Sequence, residues 1–437
     1  MKTKKAMKKI THIGMAALVA MGMLGTSCNK AESPEIETPE TQKENIVTLT
    51  TTVGFAADGT KALTSTGVKT FAEGETMAIY YWKNKGNDHE KAVSAPLTAG
   101  DITNGGKSAT FTFTLDNPYK DMSVVYTYPA AMANADFTPN YDALYNNQDG
   151  TLETLASNFD FCTRSGAWNG DNLPSVTLVN QLAILAINLK NITGTSDITS
   201  SITGMTISDG TNTYAVSRSA VAGPIYVAIR PTSDATITVT ATDGTNNYTK
   251  TLTSKTYAAG NGYPVSWRMI KTYTLAESTV GMIVGTDGKA YAAADKDNLP
   301  TGVTAAGMVA YKNGSNGLVI ALADEASTMN WSTATGASGA AAHTPAVTGG
   351  TWKLPSKAEW NQMFGADAEE NIANYMSLNY ALDAAGGTAL PESYSYYWSS
   401  TESEGDIAYV ELDCGSAYWY NNGYEDEDRL VRACLAF

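Results

Sequence analysis

Gly350-Thr-Trp-Lys-Leu-Pro-Ser-Lys-Ala-Glu-Trp360 is the most informative stretch of this 437-residue chain. Ser356 followed three residues on by Glu359 is a capping box, in which each side chain accepts from the other residue's backbone amide, and it starts a helix expected to run through Met363. A second helix is expected from about Glu369 to Ala384, stopped by Gly386-Gly387. Upstream, 281–291 reads as a hairpin turning at Asp287-Gly288, and 308–311 with 317–322 as a second hairpin across 313–316. Helices among hairpins make 273–437 an α+β unit.

From residue 46 to about 270 the pattern changes. Short β-branched and aromatic runs, such as 108–115, 123–128, 183–189, 204–208, 225–229 and 235–242, alternate with Gly, Asn and Asp turns. Asp58-Gly59, Asp209-Gly210 and Asp243-Gly244 are turn pairs, and Asn104-Gly105 is a further hairpin candidate. No run has the length and 3.6-residue period of a major helix. The expectation is a β-sandwich-like region of one unit or two subdomains, so the chain as a whole is mainly β.

Acids outnumber bases 44 to 29, and the first 27 residues hold five Lys and no acid, leaving 24 bases against 44 acids, a net charge of −20 beyond them. Such a surface repels nucleic-acid phosphate and anionic membrane. The Lys-rich start and the mostly apolar segment 10–24 have the form of a secretion signal, too short to span a bilayer as a helix. Cys28 follows Leu24-Gly25-Thr26-Ser27, which resembles the lipobox of bacterial lipoproteins with the aliphatic residue one position early. That resemblance implies a signal peptide over 1–27, acylation of Cys28 and anchorage to the outer membrane by lipid; the other reading is an ordinary secretory signal. Residues 28–45, rich in Glu, Pro, Ser and Thr, read as a flexible tether.

The order of the runs in 46–270 resembles the fimbrillin family, the pilin-like lipoproteins of Bacteroidetes that build type V pili. The resemblance rests on Phe71-Ala-Glu-Gly-Glu-Thr-Met-Ala-Ile-Tyr80, Asn180-Gln-Leu-Ala-Ile-Leu-Ala-Ile187, Gly223-Pro-Ile-Tyr-Val-Ala-Ile-Arg-Pro231 and Tyr257-Ala-Ala-Gly-Asn-Gly-Tyr263. It implies a cell-surface location in a fimbria, assembly with other pilin subunits by donor-strand exchange, and cleavage after a basic residue. Lys61 before Ala62 resembles that cleavage site, with Lys43 and Lys69 as weaker alternatives. The segment removed would include Val47, Leu49, Thr51, Val53 and Phe55, which alternate to make one apolar strand face.

Residues 350–360, 397–402 (Tyr-Trp-Ser-Ser-Thr-Glu) and 431–433 (Val-Arg-Ala) resemble a domain common in secreted bacterial proteins, with Lys353 standing where the family has Arg. The resemblance implies a C-type-lectin-like fold over 273–437, related to the Fibrobacter major paralogous and Legionella collagen-like C-terminal domains. Together the two resemblances imply a pilus or fimbria subunit, most simply a tip adhesin binding a glycan or surface protein. The alternatives are a non-polymerising surface lipoprotein that binds polysaccharide, and a glycan-active enzyme.

Within the second unit, Tyr418, Trp419, Tyr420, Asn421, Tyr424 and Asp426 gather aromatics, an amide and a carboxylate in what reads as one loop. Rings stack on the apolar faces of sugars while amides and carboxylates bond hydroxyls, so the set suits a glycan. The acidic run 425–428 could also hold Ca²⁺, or be a solvated hairpin tip. Trp360 and Trp398 are expected in the core. Cys414 and Cys434 are either a disulfide closing a loop of about 20 residues or two buried free thiols. No catalytic arrangement emerges: His89 lies beside Glu90 in a polar loop, His343 lies in an Ala/Gly-rich loop, and the Gly-rich stretch 334–339 lacks a phosphate-binding context.

Overall fold

The β-branched and aromatic runs form strands, and the chain is mainly β in a computed structural model that describes residues 45–55, 70–83, 88–120, 122–136, 138–159, 161–169 and 171–437. Cys28, Lys43, Lys61, Ala62, Lys69 and the Asp58-Gly59 turn lie outside the described residues.

Eight strands form the first sheet, in the order Asp88–Val93, Ala78–Lys83, Met122–Tyr128, Cys162–Trp168, Val176–Asn180, Ile46–Phe55, Ser108–Asp116, Ile102–Thr103. His89 therefore lies on a strand, its ring centroid 3.7 Å from that of Trp82, rather than in a polar loop. The two ends of the sheet meet. Lys83 Nζ lies 2.5 Å from both Glu90 and Asp116, and the amide of Ala95 donates to Thr112 at 2.9 Å. The enclosed core holds Val53, Ile79, Tyr81, Phe111, Phe113, Val124, Tyr126 and Trp168. Ile46–Phe55 follows its pleat as read, with Thr48, Thr50 and Thr52 exposed and Thr51 and Val53 buried. It pairs antiparallel with Ser108–Asp116 from Ile46 to Gly54, but parallel with Val176–Asn180 only at Val53, Gly54 and Phe55.

Seven strands form the second sheet, in the order Thr213–Ser217, Gly204–Ser208, Thr232–Thr242, Asn247–Tyr257, Gly262–Thr272, Ala183–Asn191, Ile225–Ile229. Its edge strands are tied together by the segment 148–150. Ser217 donates to the Gln148 carbonyl at 3.0 Å and Tyr226 to the Gly150 carbonyl at 2.9 Å. The buried Gln148 amide donates to Leu144 and Ala228 and accepts from the Ala228 amide, all at 2.8 Å, so the edge amide and carbonyl of Ala228 are both paired. The Asp209-Gly-Thr-Asn and Asp243-Gly-Thr-Asn hairpins have the same turn: each Asp carboxylate accepts from the amides two and three residues on, at 2.9 and 2.6 Å.

The remaining residues build a five-stranded sheet, Ala290–Tyr291, Ile283–Gly285, Ala305–Asn313, Asn316–Ala321, Cys434–Ala436, and a four-stranded one, Ile372–Asn374, Ser416–Gly423, Asp406–Asp413, Ser395–Ser403. Both hairpins read from the sequence are present. The first helix, Lys357–Phe364, opens on the Ser356/Glu359 capping box and closes at Gly365 with φ 78°. The second, Met376–Ala385, does end at Gly386 but starts later than expected. Ile372–Asn374 is drawn into the sheet edge, where Ala373 pairs with Ala417, and the Asn374 side chain then accepts from the Met376 amide. Both helices pack with both sheets around Ile320, Trp360, Leu382, Tyr397 and Val410.

The three motifs far apart in sequence meet here. Lys353 exchanges two backbone hydrogen bonds with Cys434 at 2.8 and 2.9 Å, Ser400 donates to Pro355 at 2.9 Å, and Trp398 donates to Leu430 at 3.1 Å. Trp360 and Trp398 are fully buried, as expected, their indole N–H groups donating to the carbonyls of Trp398 and Met329. Removing the Trp360 ring is expected to cost about 3–5 kcal/mol in urea unfolding. Lys353→Ala, which breaks a half-exposed ion pair with Glu359, should cost under about 1 kcal/mol.

Candidate functional site

Tyr418 to Asn422 are not a loop. They lie on the strand Ser416–Gly423, flanked by Asp406–Asp413 on one side and Ile372–Asn374 on the other. Strand geometry sends alternate side chains to opposite faces, which divides the expected aromatic cluster. Ala417 and Trp419 turn inward. Trp419 is 8% exposed and donates its indole N–H to Asn361 Oδ1 at 2.8 Å, while the Asn361 amide donates to Ala368 and Glu370. That ring belongs to the core, correcting the expectation of an exposed stacking surface.

Tyr418 and Tyr420 turn outward, 37% and 40% exposed, and the neighbouring strands meet them with residues the sequence reading missed. Register places Ile372, Tyr418, Glu411 and Tyr396 in one row across four strands, and Tyr420, Tyr409 and Trp398 in the next. Tyr409 and Tyr420 stack with centroids 5.3 Å apart and planes 14° from parallel. The Arg429 guanidinium lies 3.7 Å from the Tyr409 centroid and 5.3 Å from that of Tyr396, held in place by Glu427. The signal that would have found this face is the period-2 pattern of Tyr396, Tyr409, Glu411, Tyr418 and Tyr420 taken over three strands together.

Glu411 sits amid the rings. The Tyr396 hydroxyl lies 3.4 Å from its carboxylate. Burial and the nearby Glu411 charge push the Tyr396 hydroxyl above its ordinary range, and a hydrogen bond to Glu411 does the same for Tyr420, so both stay neutral. The face thus offers ring surface, hydroxyls and, between the rings, the Glu411 carboxylate. Asn422 extends it, accepting from the Tyr409 hydroxyl at 3.3 Å, and Asn421 beside it is exposed. Tyr424, 68% exposed, and Asp426 lie beyond the strand on the turn that follows.

Among the described residues, the acidic run 425–428 included, no three His, Cys, Asp or Glu side chains converge to hold a metal. Nor do Cys414 and Cys434 form a disulfide. Cys414 is exposed in the hairpin turn after Asp413, Cys434 is buried in the other sheet, and both are free thiols. His343 lies in a loop as expected and is buried there, its Nδ1 2.7 Å from Glu325 and its ring edge-on to Trp352.

No family model matches the sequence, and no curated protein does. Among solved structures, the chain is similar to a fimbrial protein from Bacteroides ovatus at 13% identity, covering 90% of this chain and 100% of that one, with a TM-score of 0.28. It is also similar to a fimbrial assembly protein from Parabacteroides distasonis at 13% identity, covering 52% and 95%, TM-score 0.29, and to a shaft pilin from Lactobacillus rhamnosus at 11%, covering 51% and 97%, TM-score 0.21. Likeness at that level establishes neither a common fold nor a common role.

The division of the strand into two faces has separable consequences. Trp419→Ala is expected to destabilise the protein by about 3–5 kcal/mol in urea unfolding, through lost core volume and an orphaned Asn361. Tyr418→Ala should change stability by no more than about 1 kcal/mol, since it removes a ring from the surface.

Proposed function

We propose that this chain is a cell-surface pilus or fimbria subunit placed at a fibre end, and that the tyrosine face is its adhesive surface for a glycan. The observation that carries the terminal placement is the bonding of the strand Cys434–Ala436. On one edge it pairs with Asn316–Ala321, Leu318 opposite Ala436 and Ile320 opposite Cys434, and on the other Cys434 bonds Lys353. Phe437 and Gly317 exchange hydrogen bonds at 3.0 and 3.1 Å. A Cβ on Gly317 would come within 2.5 Å of the Phe437 ring, so the glycine is what lets the ring settle there. A strand held this way is not one to be lent to a neighbouring subunit, whereas strand addition is how pilins of the resembled family extend.

At the other end, Ile46–Phe55 supports a role as acceptor. It runs beside Phe111 and Phe113, which stand opposite Thr51 and Leu49, and over most of its length only one edge is paired. Cleavage at Lys61 before Ala62 would free it and leave a strand-shaped apolar groove for a partner's donor strand. Before assembly, an acylated Cys28 would hold the subunit at the outer membrane. For adhesion, exposed tyrosines stack on sugar C–H faces while Glu411, Asn421 and Asn422 bond hydroxyls. The reading assigns no catalytic role.

Immunogold microscopy of cells, with antibody against residues 273–437, tests the placement. Label at fibre ends is expected, with an N-terminus at Ala62 in sheared fibres. Label flush with the membrane, on a chain still beginning at acylated Cys28, would show a stand-alone lipoprotein instead.

A further inference from the structure

The tyrosine face is not electrically neutral. Along Asp406–Asp413 the side chains of Tyr409, Glu411 and Asp413 alternate onto its outer side, about 7 Å apart. A hydrogen bond to Asp413 and, more weakly, the nearby Glu392 charge push the Cys414 thiol up. Among the described ion pairs, none involves Glu411, Asp413 or Glu392; Arg429, the cation lying against the rings, is committed to Glu427.

A neutral sugar laid over Tyr418, Tyr420 and Tyr396 would cover Glu411 and strip water from its carboxylate with no counter-charge in return. A ligand carrying an amine would relieve that cost. Its positive charge would also be drawn to the faces of the tyrosine rings, whose π-electrons attract cations. The acidic balance of the whole chain favours the approach of such a ligand.

Resting on the glycan reading of this face, we propose that its ligand is a polysaccharide with free amino groups, a glucosamine-type polymer, with Glu411 pairing the amine between Tyr396 and Tyr418. The comparison that tests it is titration calorimetry of the full chain with a glucosamine hexamer and with the N-acetylglucosamine hexamer, which share a backbone and differ in charge. The amine hexamer is expected to bind about tenfold more tightly, with affinity falling as salt rises. Glu411→Gln should bring the two hexamers to near parity, and Tyr418→Ala combined with Tyr420→Ala should abolish binding of both while circular dichroism stays unchanged.

A preference for the amine hexamer that survives Glu411→Gln would mean diffuse attraction by net charge and overturn the assignment. Equal binding, or tighter binding of the acetylated hexamer, would overturn the charge inference while leaving the glycan face standing. Binding of neither hexamer would overturn both.

Discussion

Arg432 is fully buried, and the architecture around it is arranged to keep it so. A guanidinium withdrawn from water needs a carboxylate and well-placed acceptors, because an unpaired buried charge is costly. Its Nε donates to Asp324, and Nη1 donates to the carbonyls of Ala321 and Thr388. Asp324 in turn accepts from the Tyr397 hydroxyl at 2.8 Å. One side chain thereby fastens the end of the strand Asn316–Ala321, the segment after the second helix, the strand Ser395–Ser403 and the stretch leading to Cys434. Because Tyr397 is fixed inward by this bond, its neighbour Tyr396 faces out, and the sidedness of the tyrosine face follows.

The indole N–H groups act in the same way at shorter range. Trp331 donates to Ser399, Trp352 to Pro345, Trp398 to Met329 and Trp419 to Asn361, at 2.8 to 3.0 Å. Trp331, Trp398 and Trp419 each fasten a loop or helix to a sheet, and Trp352 joins one stretch of loop to another, as tryptophans with a hydrogen-bond partner do. On the four-stranded sheet, Trp419 fastens the inner side, while Trp398 is buried on the outer side at the end of the row that runs to Tyr409 and Tyr420. The outer face beyond it carries the exposed rings of Tyr396, Tyr418 and Tyr420.

Local signals in the sequence were read accurately where the physics is local. The Ser356/Glu359 box, the Gly386 stop, the turns at Asp209-Gly210, Asp243-Gly244 and Asp287-Gly288 and the alternation of Ile46–Phe55 depend on residues a few positions apart, and each is where the sequence places it. What could not be read was register between strands. Tyr418-Trp-Tyr looks like a cluster in sequence, but a strand splits it, and only the pairing of Glu411 with Tyr418 and Tyr396 reveals the face. The same ignorance of long-range placement left Cys414 and Cys434 open as a pair, and hid the edge strand Ile372–Asn374 inside an expected helix.

The proposed assembly rests on an asymmetry: the strand Cys434–Ala436 is paired within the fold, whereas Ile46–Phe55 would be replaced by a donor strand. Hydrogen exchange of the full chain, followed by mass spectrometry under native conditions, reads both strands at once. The account predicts that amides of Cys434–Ala436 exchange only through global unfolding, and that those of Ile46 to Thr52 exchange through a separate opening of lower free energy. Exchange of Cys434–Ala436 ahead of Ile46 to Thr52 would contradict it, since the strand free to leave would then be the C-terminal one.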